Sequence, residues 1–134
     1  MPINTQWDKK FEVGHPRIDH EHQVFLDLIR NVSLASERQE SDQWTTRLLE
    51  EIKKYAEFHF LSEENIMFRI DYPEYNAHHK QHLELLATLA DKIHRFSSGQ
   101  IELDSVVDFL FEWFAIHTTQ TDKKLAQYLN QSCD

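Results

Sequence analysis

An all-α, up-down-up-down four-helix bundle with an extended N-terminal arm is the fold this sequence predicts, and three observations carry that expectation. Only 2 Gly and 3 Pro occur in 134 residues, too few turn formers for a β sandwich or barrel and a composition that suits helices. Four long segments repeat apolar residues at helical spacing. Short polar stretches separate them, which makes successive helices antiparallel neighbours. The length is that of one domain, 1–134, with residues 1–18 as the arm and about 19–131 as the bundle. A chain of this size buries roughly two-thirds of its unfolded surface, enough for a core without staples.

Residues 1–18 contain Pro2, Gly14 and Pro16 and show little periodicity, so they read as an arm that Trp7 and Phe11 lay against the bundle. The first helix is expected over Asp19–Ala35, with His22, Phe25, Leu26, Ile29 and Val32 on its inner face. A polar run, 36–41, forms the next loop, and Asp42 is the expected N-cap of the second helix. That helix places Leu48, Leu49, Ile52, Tyr55, Ala56, His59, Glu63, Ile66, Met67 and Ile70 on one face. Asp71-Tyr72-Pro73 ends it, because the residue before proline is pushed out of the α region. The third helix starts near Glu74 and carries Tyr75, His78, His82, Leu85, Leu86, Leu89, Ile93 and Phe96 inward. Ser97-Ser98-Gly99 closes it, with Gly99 just past its end. Asp104 is the expected cap of the fourth helix, lined by Val106, Val107, Leu110, Trp113, Phe114 and His117. A short last helix is expected from about Asp122 to Leu129.

Composition narrows the function classes. A net charge of −9 disfavours nucleic acid, whose phosphates need clustered Lys and Arg, and disfavours an anionic membrane surface. No apolar run reaches transmembrane length. The opening residues, MPINTQWDKKFEVG, have no apolar core of a signal peptide. The single Cys133 cannot pair internally, which fits a reducing compartment, and it reads as a surface thiol without a role. A cytoplasmic monomer is expected.

Seven side chains share the inward faces: His22, His59 with Glu63, His78 with His82, and His117 with Asp122. Imidazole and carboxylate together suit a borderline metal such as iron, copper or zinc. Seven ligands are too many for one tetrahedral ion and suit two metals that share carboxylates. His59–Glu63 and His78–His82 are i, i+4 pairs, which point the same way on a helix. A buried histidine pair without partners would be costly, and a metal with an acceptor behind each ring removes that cost. His20 shares its face with Val24, Asp27 and Asn31 and reads as solvated; His79, about 100° from the inward pair, His94 and His15 also stay outside. His117 and Asp122 are i, i+5, about 140° apart on an α-helix. If they meet, the backbone departs from α geometry near residues 118–122, through a π-type turn or a helix end.

These motifs are familiar. IDHEH, HFLSEE, HHKQH and WFAIHTTQTD, with Val13-Gly14 in the arm and the turn YPEYNAH, resemble the hemerythrin family along nearly the whole chain, and most of all its single-domain bacterial members, the bacteriohemerythrins. The resemblance implies a non-haem diiron site, oxo- or hydroxo-bridged, that binds O2 reversibly for storage, delivery or transport. Carried over by position, His78, His82 and His117 hold one iron, His22 and His59 hold the other and leave an open position, and Glu63 and Asp122 bridge both. One residue departs from the pattern: the position after the last histidine is often apolar in the family and is Thr118 here.

Other functions compete. A ferritin-like diiron oxidase needs Glu-x-x-His on two helices, and this spacing occurs only from Glu12 to His15, in the arm. Peroxidase or nitric-oxide chemistry at the same irons is a weaker enzymatic option. An O2 or redox sensor needs an output domain or a separate partner. A plain interaction bundle leaves the inward histidines unexplained. O2 is the expected ligand and the chain is not expected to be an enzyme.

Overall fold

The computed structural model describes residues 9–132. Among them every regular element is helical: a 3-10 turn at Lys9–Phe11, then α1 (Pro16–Glu37), α2 (Asp42–Arg69), α3 (Tyr75–Ser97), α4 (Leu103–Ile116), a π-helical segment (His117–Asp122) and α5 (Lys123–Ser132). Helix α1 packs on α2 and α4, and α3 packs on α2 and α4, which closes an up-down-up-down bundle. No helix among the described residues is long and apolar enough to cross a membrane.

The first helix starts three residues earlier than periodicity indicated. Pro16 occupies its first turn, where a missing N–H costs nothing. His15 caps it, Nδ1 accepting from the Ile18 N–H at 3.3 Å. The arm is tied down by Asp19, whose carboxylate accepts the N–H groups of Val13 (2.7 Å) and Gly14 (3.2 Å). Phe11 is buried and meets the rings of Phe111 and Phe114 edge-on. Trp7 and Cys133 lie outside the described residues.

Two expected caps are displaced by one or two residues. Ser41, not Asp42, caps α2, its hydroxyl accepting from the Trp44 N–H at 3.2 Å. Asp104 does not cap α4; it sits in the first turn and accepts from the Ser36 hydroxyl at 2.6 Å, tying the start of α4 to the end of α1. Three helix ends share one design. The residue two past the last helical one takes positive φ: Gln39 (53°), Asp71 (51°) and Gly99 (76°). The N–H that follows returns to the carbonyl five residues back, from Glu40, Tyr72 and Gln100 to Ala35, Met67 and Arg95. This is the Schellman closure. So α2 stops through the left-handed Asp71, ahead of any effect of Pro73.

The core has two apolar parts. The larger includes Phe25, Leu26, Leu49, Ile52, Leu85, Leu89, Leu110 and Phe114. The smaller includes Ile18, Met67, Tyr72, Leu125 and Ala126. Along the chain six of the seven polar residues fall between these parts: His22 between Ile18 and Phe25, Glu63 between Phe60 and Met67, His78 and His82 between Tyr72 and Leu85, and His117 and Asp122 between Phe114 and Leu125, while His59 stands one turn before Glu63, beside Phe60. A polar layer is thus clamped between two apolar plugs.

Candidate metal centre

Helical phase brings all seven residues together. His22, His59, Glu63, His78, His82, His117 and Asp122 are each buried, with at most 3% of their surface exposed. Two overlapping groups result, and within each the ligand atoms lie within 4.8 Å of one another: Glu63, His78, His82, His117 and Asp122, and then His22, His59, Glu63 and Asp122. The departure from α geometry expected between His117 and Asp122 is present as the π-helical segment, with i→i+5 spacing over HTTQTD.

Each carboxylate is divided between the groups. Glu63 Oε1 faces the three-histidine side, touching His78 Nε2 and lying 3.2 Å from His82 Nε2. Its Oε2 faces the two-histidine side, 3.4 Å from His59 Nε2. Asp122 Oδ1 lies 3.1 Å from His78 Nε2 and 3.0 Å from His117 Nε2, while Oδ2 lies 2.9 Å from His22 Nε2.

Close contact is not the same as hydrogen bonding. The Nε2 atoms of His22, His78, His82 and His117 and all four oxygens of Glu63 and Asp122 are buried without a hydrogen-bond partner. Buried polar atoms are ordinarily satisfied. Here they converge in two overlapping groups whose donor atoms could hold metal. Donor chemistry agrees: five imidazoles and two carboxylates suit divalent or trivalent iron, or zinc, better than hard-oxygen cations.

Behind the inward atoms runs a cross-helix support that sequence reading missed. His59 Nδ1 meets Glu21 Oε1 at 2.7 Å, His82 Nδ1 meets Glu64 Oε2 at 2.7 Å, and His117 Nδ1 meets Gln81 Oε1 at 3.1 Å. Each supporter is the chain neighbour of an inward residue on its own helix yet serves a ring on the next helix. Glu21 is fixed in turn by the Ser62 hydroxyl (3.0 Å) and the Arg17 Nε–H (3.1 Å), and Gln81 by the Thr121 hydroxyl (2.9 Å). The only sequence signal was adjacency to a histidine or Glu63. Of the residues placed outside, His20 and His94 are exposed and His15 caps α1. His79 does not reach the cluster, but its Nδ1 lies 2.9 Å from Glu64 Oε2.

Ring packing fixes the imidazoles further. Phe60 stacks on His82 at 3.9 Å and Trp113 on His117 at 4.3 Å between centroids. Phe114 meets His22 edge-on at 5.8 Å. Thr118 is buried, whereas Ile116 is 59% exposed and contributes nothing to the interior. The back-bond to the preceding turn is made by Thr119, to the Ala115 carbonyl at 2.7 Å.

Electrostatics follow from this packing. Burial opposes a charged His59, but Glu21 and Glu63 beside it raise its pKa to about 10. Burial likewise opposes a charged His78, and Asp122 and Glu63 raise it to about 9. His117 is raised against burial by Asp122 and Glu63. Burial would raise the Glu63 carboxyl, yet the surrounding histidines hold it well below the ordinary range. Asp122 is also lowered, because His117 and His22 outweigh burial and the repulsion of Glu63. Without metal, protons on His59 and His78 balance the carboxylates beside them, and a cation bound there would take their place.

Comparison with known proteins agrees with this arrangement. The hemerythrin HHE cation-binding domain family matches residues 13–129. The chain is 26% identical to a bacteriohemerythrin of Clostridium acetobutylicum, over 88% of this chain and 95% of that one. It is 29% identical to a myohemerythrin of Theromyzon tessulatum, over 92% of each. The crystal structure of a wild-type hemerythrin superposes with a TM-score of 0.84 at 22% identity, covering 93% of this chain and 97% of that one, which fixes the fold. With the match extending over most of the chain and across all four long helices, the protein belongs to the hemerythrin family.

Proposed function

We propose that this protein binds O2 reversibly at a non-haem diiron centre, for oxygen storage or delivery rather than as an enzyme. The observation that carries this reading is the division of Glu63 and Asp122, each with one oxygen on the side of His78, His82 and His117 and the other on the side of His22 and His59, the four oxygens without hydrogen bonds of their own. In this reading His78, His82 and His117 would hold one iron, His22 and His59 the other, and Glu63 and Asp122 would be shared by the two. Two irons held there would supply the pair of electrons that reversible O2 binding requires.

The residues of the chain do the rest. The two-histidine side offers fewer donor atoms, so an external ligand finds room there. Phe114 and Phe25 stack beside His22 and keep bulk water from that side. Glu21 fixes the His59 ring, and Glu64 and Gln81 fix His82 and His117, so the donor atoms stay aimed without reorganisation.

The test is metal analysis joined to an absorption spectrum of the reduced protein, before and after O2. The expected result is two irons per chain and a nearly colourless anaerobic form. A visible band should appear with O2 and vanish on its prompt removal. One tightly held zinc with no iron retained would sink the diiron reading. Irreversible oxidation with release of an oxidised substrate would favour an oxidase instead.

A further inference from the structure

A cluster buried on every side needs a way in for its ions, and the structure offers one behind His78. A cavity of about 190 Å³ lies where α3, the π-helical segment and the start of α5 meet. Glu74, Ala77, Gln81, Thr121 and Lys124 line it, and it reaches the buried His78. Its lining is rich in side-chain oxygen, which can replace part of the water around an arriving cation. Glu74 at this cavity pairs with Lys124 at only 3.7 Å, both half exposed or more. An exposed pair of this kind contributes little and is readily exchanged.

The inward rings are not held alike. His59, His82 and His117 are pinned from behind by Glu21, Glu64 and Gln81. The Nδ1 atoms of His22 and His78 are buried without a hydrogen-bond partner. His22 is closed in by the ring edges of His59 at 5.0 Å and Phe114 at 5.8 Å. His78 also meets ring edges, those of His82 at 4.6 Å, His117 at 5.1 Å and Tyr72 at 6.5 Å, but unlike His22 it lines the cavity as well. It therefore combines an Nδ1 without a supporting partner, a cavity beside the ring and Nε2 contacts with both Glu63 and Asp122.

We propose that this cavity is the uptake portal for the metal ions, with Glu74 as the first carboxylate an ion meets and His78 as the ligand that swings aside to pass it to Glu63 and Asp122. This inference rests on the diiron reading. Only metal–ligand contacts form and break as the ion passes.

A portal sets rates and not affinities, so it slows loading and release alike when it is narrowed. The experiment mixes metal-free protein with Fe2+ under anaerobic conditions and counts iron per chain after rapid desalting at timed intervals. Release is followed as loss of iron from the loaded protein to an excess ferrous chelator. Ala77→Leu narrows the cavity from an exposed position of α3, and is expected to slow both directions about tenfold while final iron stays at two, a barrier change of about 1.4 kcal/mol. Glu74→Gln is expected to slow uptake in the same sense, and Glu112→Gln, on α4 away from the cavity, to change neither rate. Equal rates in the parent protein and Ala77→Leu, each reaching two irons, would overturn the portal and leave the diiron reading standing. Slower uptake with unchanged release would overturn it as well, since that is an effect on affinity. Failure of the parent protein to take up any iron would overturn the diiron reading and the portal with it.

Discussion

Glu21 stands next to His22 in the chain, yet its carboxylate works for His59 across the bundle. Its Oε1 lies 2.7 Å from His59 Nδ1, while Ser62 and Arg17 hold Oε2. A carboxylate behind an imidazole fixes which nitrogen carries the proton and strengthens the other as a donor. Removing it has a specific consequence. Glu21→Ala is expected to weaken metal at the two-histidine position by about 10–100-fold, the usual effect of losing such a partner. The three-histidine position, supported by Glu64 and Gln81, should hold its ion. Glu21→Gln keeps an acceptor for His59 and should fall between the two. Titration of each protein against a competing chelator measures this, and equal affinities in all three would show that Glu21 does not act through His59. This residue also marks the limit of what the sequence discloses. Six of the seven inward residues are legible because each sits on an apolar stripe of its own helix, and Asp122 through the family motif that places it five residues after His117. Glu21, Glu64 and Gln81 are one step off those stripes, and their roles depend on which helix stands next to which.

At the level of elements, the four long helices follow from periodicity, and the errors gather at their ends. Pro16 reads as a feature of the arm when it is the first residue of α1. Ser41 and Asp42 are both competent caps, and only the backbone decides for Ser41. Gln39 and Asp71 take left-handed φ without being glycine, a choice that nothing local announces. The π-helical segment is the opposite case. Two residues five apart can share a face only if the helix widens, so the sequence announces the irregularity once both are assigned inward. That logic has a test in phase. Deleting the exposed Gln120 puts His117 and Asp122 four apart, about 40° from each other on a regular α-helix, and should keep two metals bound. Inserting one alanine after Gln120 puts them six apart, about 240° around, and should carry Asp122 out of the cluster with loss of metal. Circular dichroism checks that both variants stay helical. Metal retained by the insertion and lost by the deletion would refute the phase argument.

For the whole molecule, a bundle that clamps a polar layer between two apolar plugs has stability tied to what neutralises that layer. In the metal-free protein the neutralising charges are protons. His59 and His78 have pKa values raised from 6.5 to about 10 and about 9 by the carboxylates beside them. A raised pKa stabilises the fold fully below 6.5 and loses that contribution as pH rises through the folded value. Glu63 and Asp122 are shifted the other way, so their contribution is present above the ordinary carboxylate range and is lost as pH falls through their lowered values. The metal-free protein should therefore be most stable from about pH 4.5 to 6.5. It should lose on the order of several °C of melting temperature by pH 9.5. Metal changes the sign of the argument on the alkaline side. A cation takes the place of the imidazole protons, so loading releases protons and metal affinity rises with pH across the same interval. The loaded protein should then melt at nearly the same temperature at pH 6.5 and pH 9.5, and thermal denaturation of both forms across this range decides the matter. A metal-free protein as stable at pH 9.5 as at pH 6.5 would mean that His59 and His78 are already neutral in the fold, and that the carboxylates do not hold protons where cations are meant to sit.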